Sequence, residues 1–142
     1  MISVLLADKL DAVTAVLGVA RLYQGDGFYL VDWDGDRPVG HLHLALGDPP
    51  EIQDLEVVAD QRGRGVGTGL IDAAEAYCSM THRPRLAVTV SVANSGARAL
   101  YERLGYVESG EAPVRVRGTV QLRTGPITVD DTLVRLEKRL AR

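Results

Sequence analysis

A chain of 142 residues, 46% apolar and 25% charged, is long enough to bury a core and too apolar to be disordered, which fits one domain over residues 1–142. Its net charge of −3 gives no global basic field to recruit nucleic acid or an anionic membrane. A single cysteine, Cys78, excludes an internal disulfide framework, and no apolar run approaches membrane-spanning length, so a soluble cytoplasmic domain is expected.

The opening "MISVLLADKLDAV" has no basic leader region, and its apolar run is broken by Asp8, Lys9 and Asp11. "ISVLL" reads as a short strand, and "ADKLDAVTAVLGVARLY" spaces Leu10, Val13 and Leu17 as a helix does. "FYLVDW" and "PVGHLHLAL" are strand-like and flank the turn signal "DGDR", which predicts a hairpin. His41 and His43 share one face of the second strand. With no Asp, Glu or Cys beside them at ligand spacing, they read as solvent-facing rather than as a metal pair.

"EIQDLEVVA" reads as a further strand, and the change of parity between Ile52 and Leu55 suggests a bulge. A glycine-rich stretch and a helix to about Met80 follow, then the Val-rich strand "RPRLAVTVSV". "ANSGARALYERLGY" predicts a helix with Ala97, Leu100, Tyr101 and Leu104 on one face. Asn94 or Ser95 is placed to cap it, and Gly105 to end it. The last part is extended: "VRVRGTVQL" and "TLVRLEKRL" alternate, with "RTGPITVDD" between them. Strand–helix–strand–helix–strand with hairpins at both ends makes a mixed α/β sheet.

The stretch "QRGRGVGTG" is the most distinctive of the chain. It lacks the lysine of a nucleotide-binding P-loop, and its two-residue glycine spacing does not fit a dinucleotide fingerprint. Two readings stay open. One is a phosphate cradle, in which glycines let a pyrophosphate approach the free N–H groups of a helix start beside Arg62 and Arg64. The other is a Gly-rich turn with no ligand.

Arg62-Gly63-Arg64-Gly65-Val66-Gly67 fits the signature [QR]-x-x-G-x-[GA]. Together with "DLEV" before it and "NSGARALYERLGYVESG" after it, the stretch resembles the GNAT superfamily of acyl-CoA-dependent N-acyltransferases. The resemblance is strong over residues 50–110. It implies a mixed α+β GNAT fold: a central, mostly antiparallel sheet with two splayed parallel strands, flanked by helices. It also implies an N-acetyltransferase that moves an acetyl group from acetyl-CoA directly to a primary amine of a small molecule or protein, without metal. The pyrophosphate would rest on Arg62, Gly63, Arg64, Gly65, Val66, Gly67 and Thr68, and the pantetheine arm on Leu55, Glu56 and Val57. The Val57 N–H would steady the oxyanion.

By the same resemblance Tyr101 is the acid for the leaving thiolate, though its place on an apolar helix face also allows simple packing. Asn94 is a helix cap by propensity and a contact to the CoA arm by resemblance. Glu51 falls where some members keep their base; Asp54 and Glu56 are neighbouring carboxylates, and each also reads as a solvated strand charge. Members that acetylate protein N-termini use a Glu five residues before the motif Asn, where this chain has Thr89. The tail from Gly110 to Asp131 is longer than the family's usual ending. Its Arg115, Arg117 and Arg123 either favour an acidic acceptor or form the wet face of a hairpin, and the second reading is preferred. Cys78 reads as packed, so no acyl-enzyme is expected. Late strands permit a homodimer, and the Arg-rich composition, with only Lys9 and Lys138 as lysines, suits a bacterial source. The rival reading is a catalytically silent acyl-CoA-binding sensor or interaction module.

Overall fold

The computed structural model describes residues 1–22 and 26–140. An edge strand β1 (Ile2–Val4) is followed by one 3-10 turn and a single α-helical turn, α1 (Leu10–Thr14). The periodic pattern predicts a helix running on to Tyr23, a residue that lies outside the described ones. The helix stops early because Val13, Thr14 and Val16 are β-branched and Gly18 follows, all poor at continuing a short, uncapped helix. Its apolar residues are nonetheless used: Val13, Leu17 and Val19 are buried with Tyr29 and Val31 against one sheet face.

Strands β2 (Gly27–Asp34) and β3 (Arg37–Ala45) form the predicted hairpin, with Gly35 left-handed in its turn. His41 and His43 are not solvent-facing. Both are buried, because Tyr29 packs edge-on between them at 4.9 Å from each ring and the segment around Gly18 covers that face.

β4 (Glu51–Val57) carries the bulge that the parity change suggests. His43 faces Gln53 and His41 faces Glu56, so Asp54 and Leu55 together oppose Leu42 alone. β4 runs parallel to β5 (Arg85–Ser91) for only two pairs, Glu51–Ala87 and Ile52–Val88, and then diverges from it.

Between these strands lies α2 (Val66–Met80). Its Leu70, Ile71, Ala74 and Cys78 are buried on the sheet at helical spacing, each large side chain contributing about 1.5–3 kcal/mol of burial. Gly40 admits this close approach: a Cβ there would lie 2.7 Å from Val66 Cγ1. Burial pushes the Cys78 thiol up, consistent with its packed reading.

α3 (Ser95–Arg103) and a two-residue strand β6 (Val107–Glu108) follow, with Gly105 left-handed at the helix end. The last hairpin pairs β7 (Val114–Leu122) with the long β8 (Gly125–Arg139). "RTGPITVDD" is therefore no connecting segment. Arg123 and Thr124 make the tip, and the rest is the first half of β8. The sheet order is β1-β2-β3-β4-β5-β8-β6, with β7 on β8, and among the described residues β4–β5 is its one parallel pair. The larger core lies between this sheet and α2 and α3. Among the described residues no helix is long and apolar enough to cross a membrane.

Candidate active site

The glycines sort by function. Gly63 and Gly65 adopt φ of +74° and +85°, a region costly to residues with a Cβ, and Gly65 is the N-cap of α2. No side chain caps this helix start and no acidic residue stands in its first turn. The Gly69 N–H is bonded to the Gly65 carbonyl at 2.9 Å, so the amides of Val66, Gly67 and Thr68 precede the helical ladder and have no intrahelical acceptor. A Cβ on Gly63 or Gly65 would meet nothing within 4 Å, so the space before these amides is open.

That space is a cavity of about 480 Å³ whose walls include Val57, Arg62, Gly65, Thr68, Leu100 and Arg103. Free amides, the positive helix end and arginines favour an anion in that space. Arg62 is oriented by its Nε–H, which donates to the Val57 carbonyl at 3.1 Å. Arg64 is exposed and is not one of the residues that wall the cavity. Arg103 also walls this cavity, and sequence reasoning missed it. Its signal was present, since it follows Leu100 by three residues and so shares that face of α3.

A second cavity of about 250 Å³ occupies the gap between β4 and β5. Ile52, Asp54, Leu55, Val88, Asn94 and Tyr101 are among its walls, and Leu100 borders both cavities. The gap follows from the pairing. The Val58 N–H donates to Val39 at 2.9 Å, so strand alternation aims the Val57 amide the other way, toward β5, which no longer pairs there. Glu56 differs from its neighbours: its backbone opposes His41, and its carboxylate lies on the opposite face, 3.7 Å from His41 Nε2.

Asn94 caps α3, its Oδ1 accepting from the Ala97 N–H at 3.0 Å, while it also lines the gap. Tyr101 is 3% exposed and stacks edge-on against Tyr106 with ring centres 5.4 Å apart. Its hydroxyl makes no hydrogen bond with another described residue, and burial alone pushes its pKa up. Tyr106, by contrast, donates to Glu75 at 2.9 Å, and Lys138 holds the other oxygen of that carboxylate at 2.9 Å.

Glu51 is brought to the edge of this gap but does not line it. Its Oε1 accepts from Thr89 Oγ1 at 2.7 Å, and its Oε2 lies 3.6 Å from Arg135 Nη1. Of the three tail arginines, Arg115 and Arg117 pair across the hairpin with Asp130, the wet-face arrangement. Arg123 has another role: at the hairpin tip its Nε–H donates to Val19 O at 2.5 Å and its backbone N–H to Ala20 O at 2.9 Å. The hairpin is thereby tied to the segment covering the buried histidines. Among the described residues no group of three His, Cys, Asp or Glu side chains stands close enough to hold a metal ion.

Comparison with known proteins agrees with this geometry. Over 91 residues the chain is 35% identical to an uncharacterized N-acetyltransferase of Methanocaldococcus jannaschii, an alignment covering 58% of this chain and 40% of that relative, so it spans well under half of the relative's length. The fold superposes on an alanine N-acetyltransferase of a ribosomal protein from Escherichia coli with a TM-score of 0.75 at 18% identity, covering 100% of this chain and 94% of the other. It also superposes on a GNAT-family acetyltransferase from Elizabethkingia anophelis with acetyl-CoA bound, with a TM-score of 0.71 at 16% identity, covering 99% and 97% of the two chains. Residues 8–106 match the model of the acetyltransferase (GNAT) family, and the chain belongs to that family.

Proposed function

We propose that the protein is an acetyl-CoA-dependent N-acetyltransferase acting on a primary amine of a small molecule or a protein. The observation that carries this reading is the two-pair parallel contact of β4 and β5, which opens a gap leading toward an anion cradle at the start of α2. A pyrophosphate fits the free amides of Val66 to Thr68 with Arg62, Arg64 and Arg103 around it. An extended pantetheine arm fits the unpaired edge of Leu55 and Val57, as an added strand would. The acetyl-CoA held by the Elizabethkingia neighbour and the amine acetylated by the Escherichia coli one support this donor and this acceptor class.

The chemistry asks for three groups. The Val57 amide, turned toward the gap, steadies the charge that develops on the thioester oxygen. Tyr101, kept protonated by burial and bordering the gap, supplies a proton to the departing thiolate. A carboxylate accepts the proton of the incoming ammonium, whose ordinary pKa is about 10.4. A reducing bacterial cytoplasm suits the single cysteine, and the extended late strands β7 and β8 permit a homodimer.

The test is acetyl-CoA binding by calorimetry on the wild type and on Gly65→Glu, which puts bulk and negative charge into the cradle. Binding lost only in the variant is the expected result. No binding to a folded wild type would overturn the assignment. Binding without transfer to any amine in a broad panel would instead favour the silent acyl-CoA module.

A further inference from the structure

Two carboxylates could take the acceptor's proton, and their surroundings differ. Glu51 is engaged at both oxygens, by Thr89 at 2.7 Å and by Arg135 at 3.6 Å, and it stands behind the wall of the gap. Asp54 lines the gap itself. It occupies the bulge of β4 with φ of +54°, a left-handed conformation that is uncommon away from glycine and is kept only where the surroundings enforce it. The enforcing contact is Tyr29, whose hydroxyl donates to Asp54 Oδ2 at 2.6 Å and accepts from the Arg21 N–H at 3.1 Å. Burial pushes the Tyr29 pKa up, so it stays a donor and fixes one carboxylate oxygen. Asp54 Oδ1 makes no hydrogen bond with another described residue.

The geometry points to Asp54 as the residue that receives the acceptor ammonium at the gap, with Tyr29 as its positioning residue. One proton passes from the nitrogen to Asp54 and then to water. The freed lone pair attacks the thioester carbon: the C–N bond forms as the C–S bond breaks, the departing thiolate takes a proton from Tyr101, and the nitrogen's second proton returns to Tyr101 through water. Glu51 serves as a tie between β4, β5 and β8. This inference rests on the acetyltransferase reading above.

Two thioether analogues of the donor test it without knowledge of the natural acceptor. S-(2-aminoethyl)-CoA places an ammonium just beyond the sulfur, whereas S-propyl-CoA places a methyl there. At pH 7 the wild type is expected to bind the ammonium analogue about tenfold more tightly, the size of a charged hydrogen bond formed at a partly wet site. In Asp54→Asn the ratio falls to about one while S-propyl-CoA still binds, a change that loss of structure alone would not produce. Tyr29→Phe keeps the carboxylate but removes its brace and gives an intermediate ratio. A preference retained in Asp54→Asn, or one lost in Glu51→Gln instead, would overturn the assignment to Asp54. Failure of the wild type to bind either analogue would remove the acetyl-CoA reading, and this inference with it.

Discussion

Thr89 Oγ1 donates to Glu51 Oε1 at 2.7 Å, joining β5 to β4 at the point where their backbone pairing ends. The bond secures the closed end of the gap and holds a carboxylate that Arg135 approaches from β8. Thr89→Val keeps the shape and removes the donor. It is expected to cost about 1–2 kcal/mol, measured by urea unfolding, with no change in m-value. A neutral result would mean that the two strands are held at that point by backbone pairing and packing alone.

His43 supplies an acid-side test. Burial, ahead of the nearby Arg21 charge, pulls its pKa below the ordinary 6.5, despite the contact of its Nδ1 with Gln53 at 3.2 Å. The folded state therefore disfavours the proton that the unfolded chain takes up. Its stabilising effect is complete above about pH 6.5 and is lost as pH falls through the lowered folded value. Melting temperature followed from pH 7.5 to 5 should drop in the wild type. It should drop less steeply in His43→Asn, and parallel curves would rule out His43 as the source.

Tyr101 governs the opposite end of the scale. Burial raises the pKa values of Tyr29, Tyr101 and Tyr106 above the ordinary 10.0, so all three stay protonated in the fold after the unfolded chain begins to ionise. Stability should therefore decline above about pH 10, and Tyr101→Phe should reduce the number of linked protons by one. Because the Tyr101 hydroxyl bonds no described residue, the variant should keep neutral-pH stability within about 1 kcal/mol. Acetyl transfer should fall about a hundredfold with acetyl-CoA affinity unchanged. Unchanged turnover would return Tyr101 to a purely packing role.

Local signals carried far into the structure where one rule acted alone. The bulge at Asp54 and Leu55 was legible because strand parity admits no other way to keep both Ile52 and Leu55 on the core face. The start of α2, the cap at Asn94 and the left-handed Gly105 were legible because each answers a backbone need. Where distant chain segments decided the outcome, the sequence was silent. His41 and His43 look like surface residues until the turn around Gly18 and the Tyr29 ring cover them. The periodic pattern after Ala7 is met by burial of Leu17 and Val19 in irregular backbone, so it did not require the long helix it suggested. Arg123 reads as one of three alternating arginines, and only the hairpin's reach across the molecule separates it from Arg115 and Arg117.

The brevity of the β4–β5 contact has a mechanical consequence. With two parallel pairs between them, β1–β4 on one side and β5, β8, β6 and β7 on the other share few main-chain bonds and are joined instead by the core under α2. A molecule lying along the open edges would act as a clasp, adding rungs to a ladder that the chain leaves short. Amide exchange at Leu55 and Val57 would then slow together when the clasp is in place.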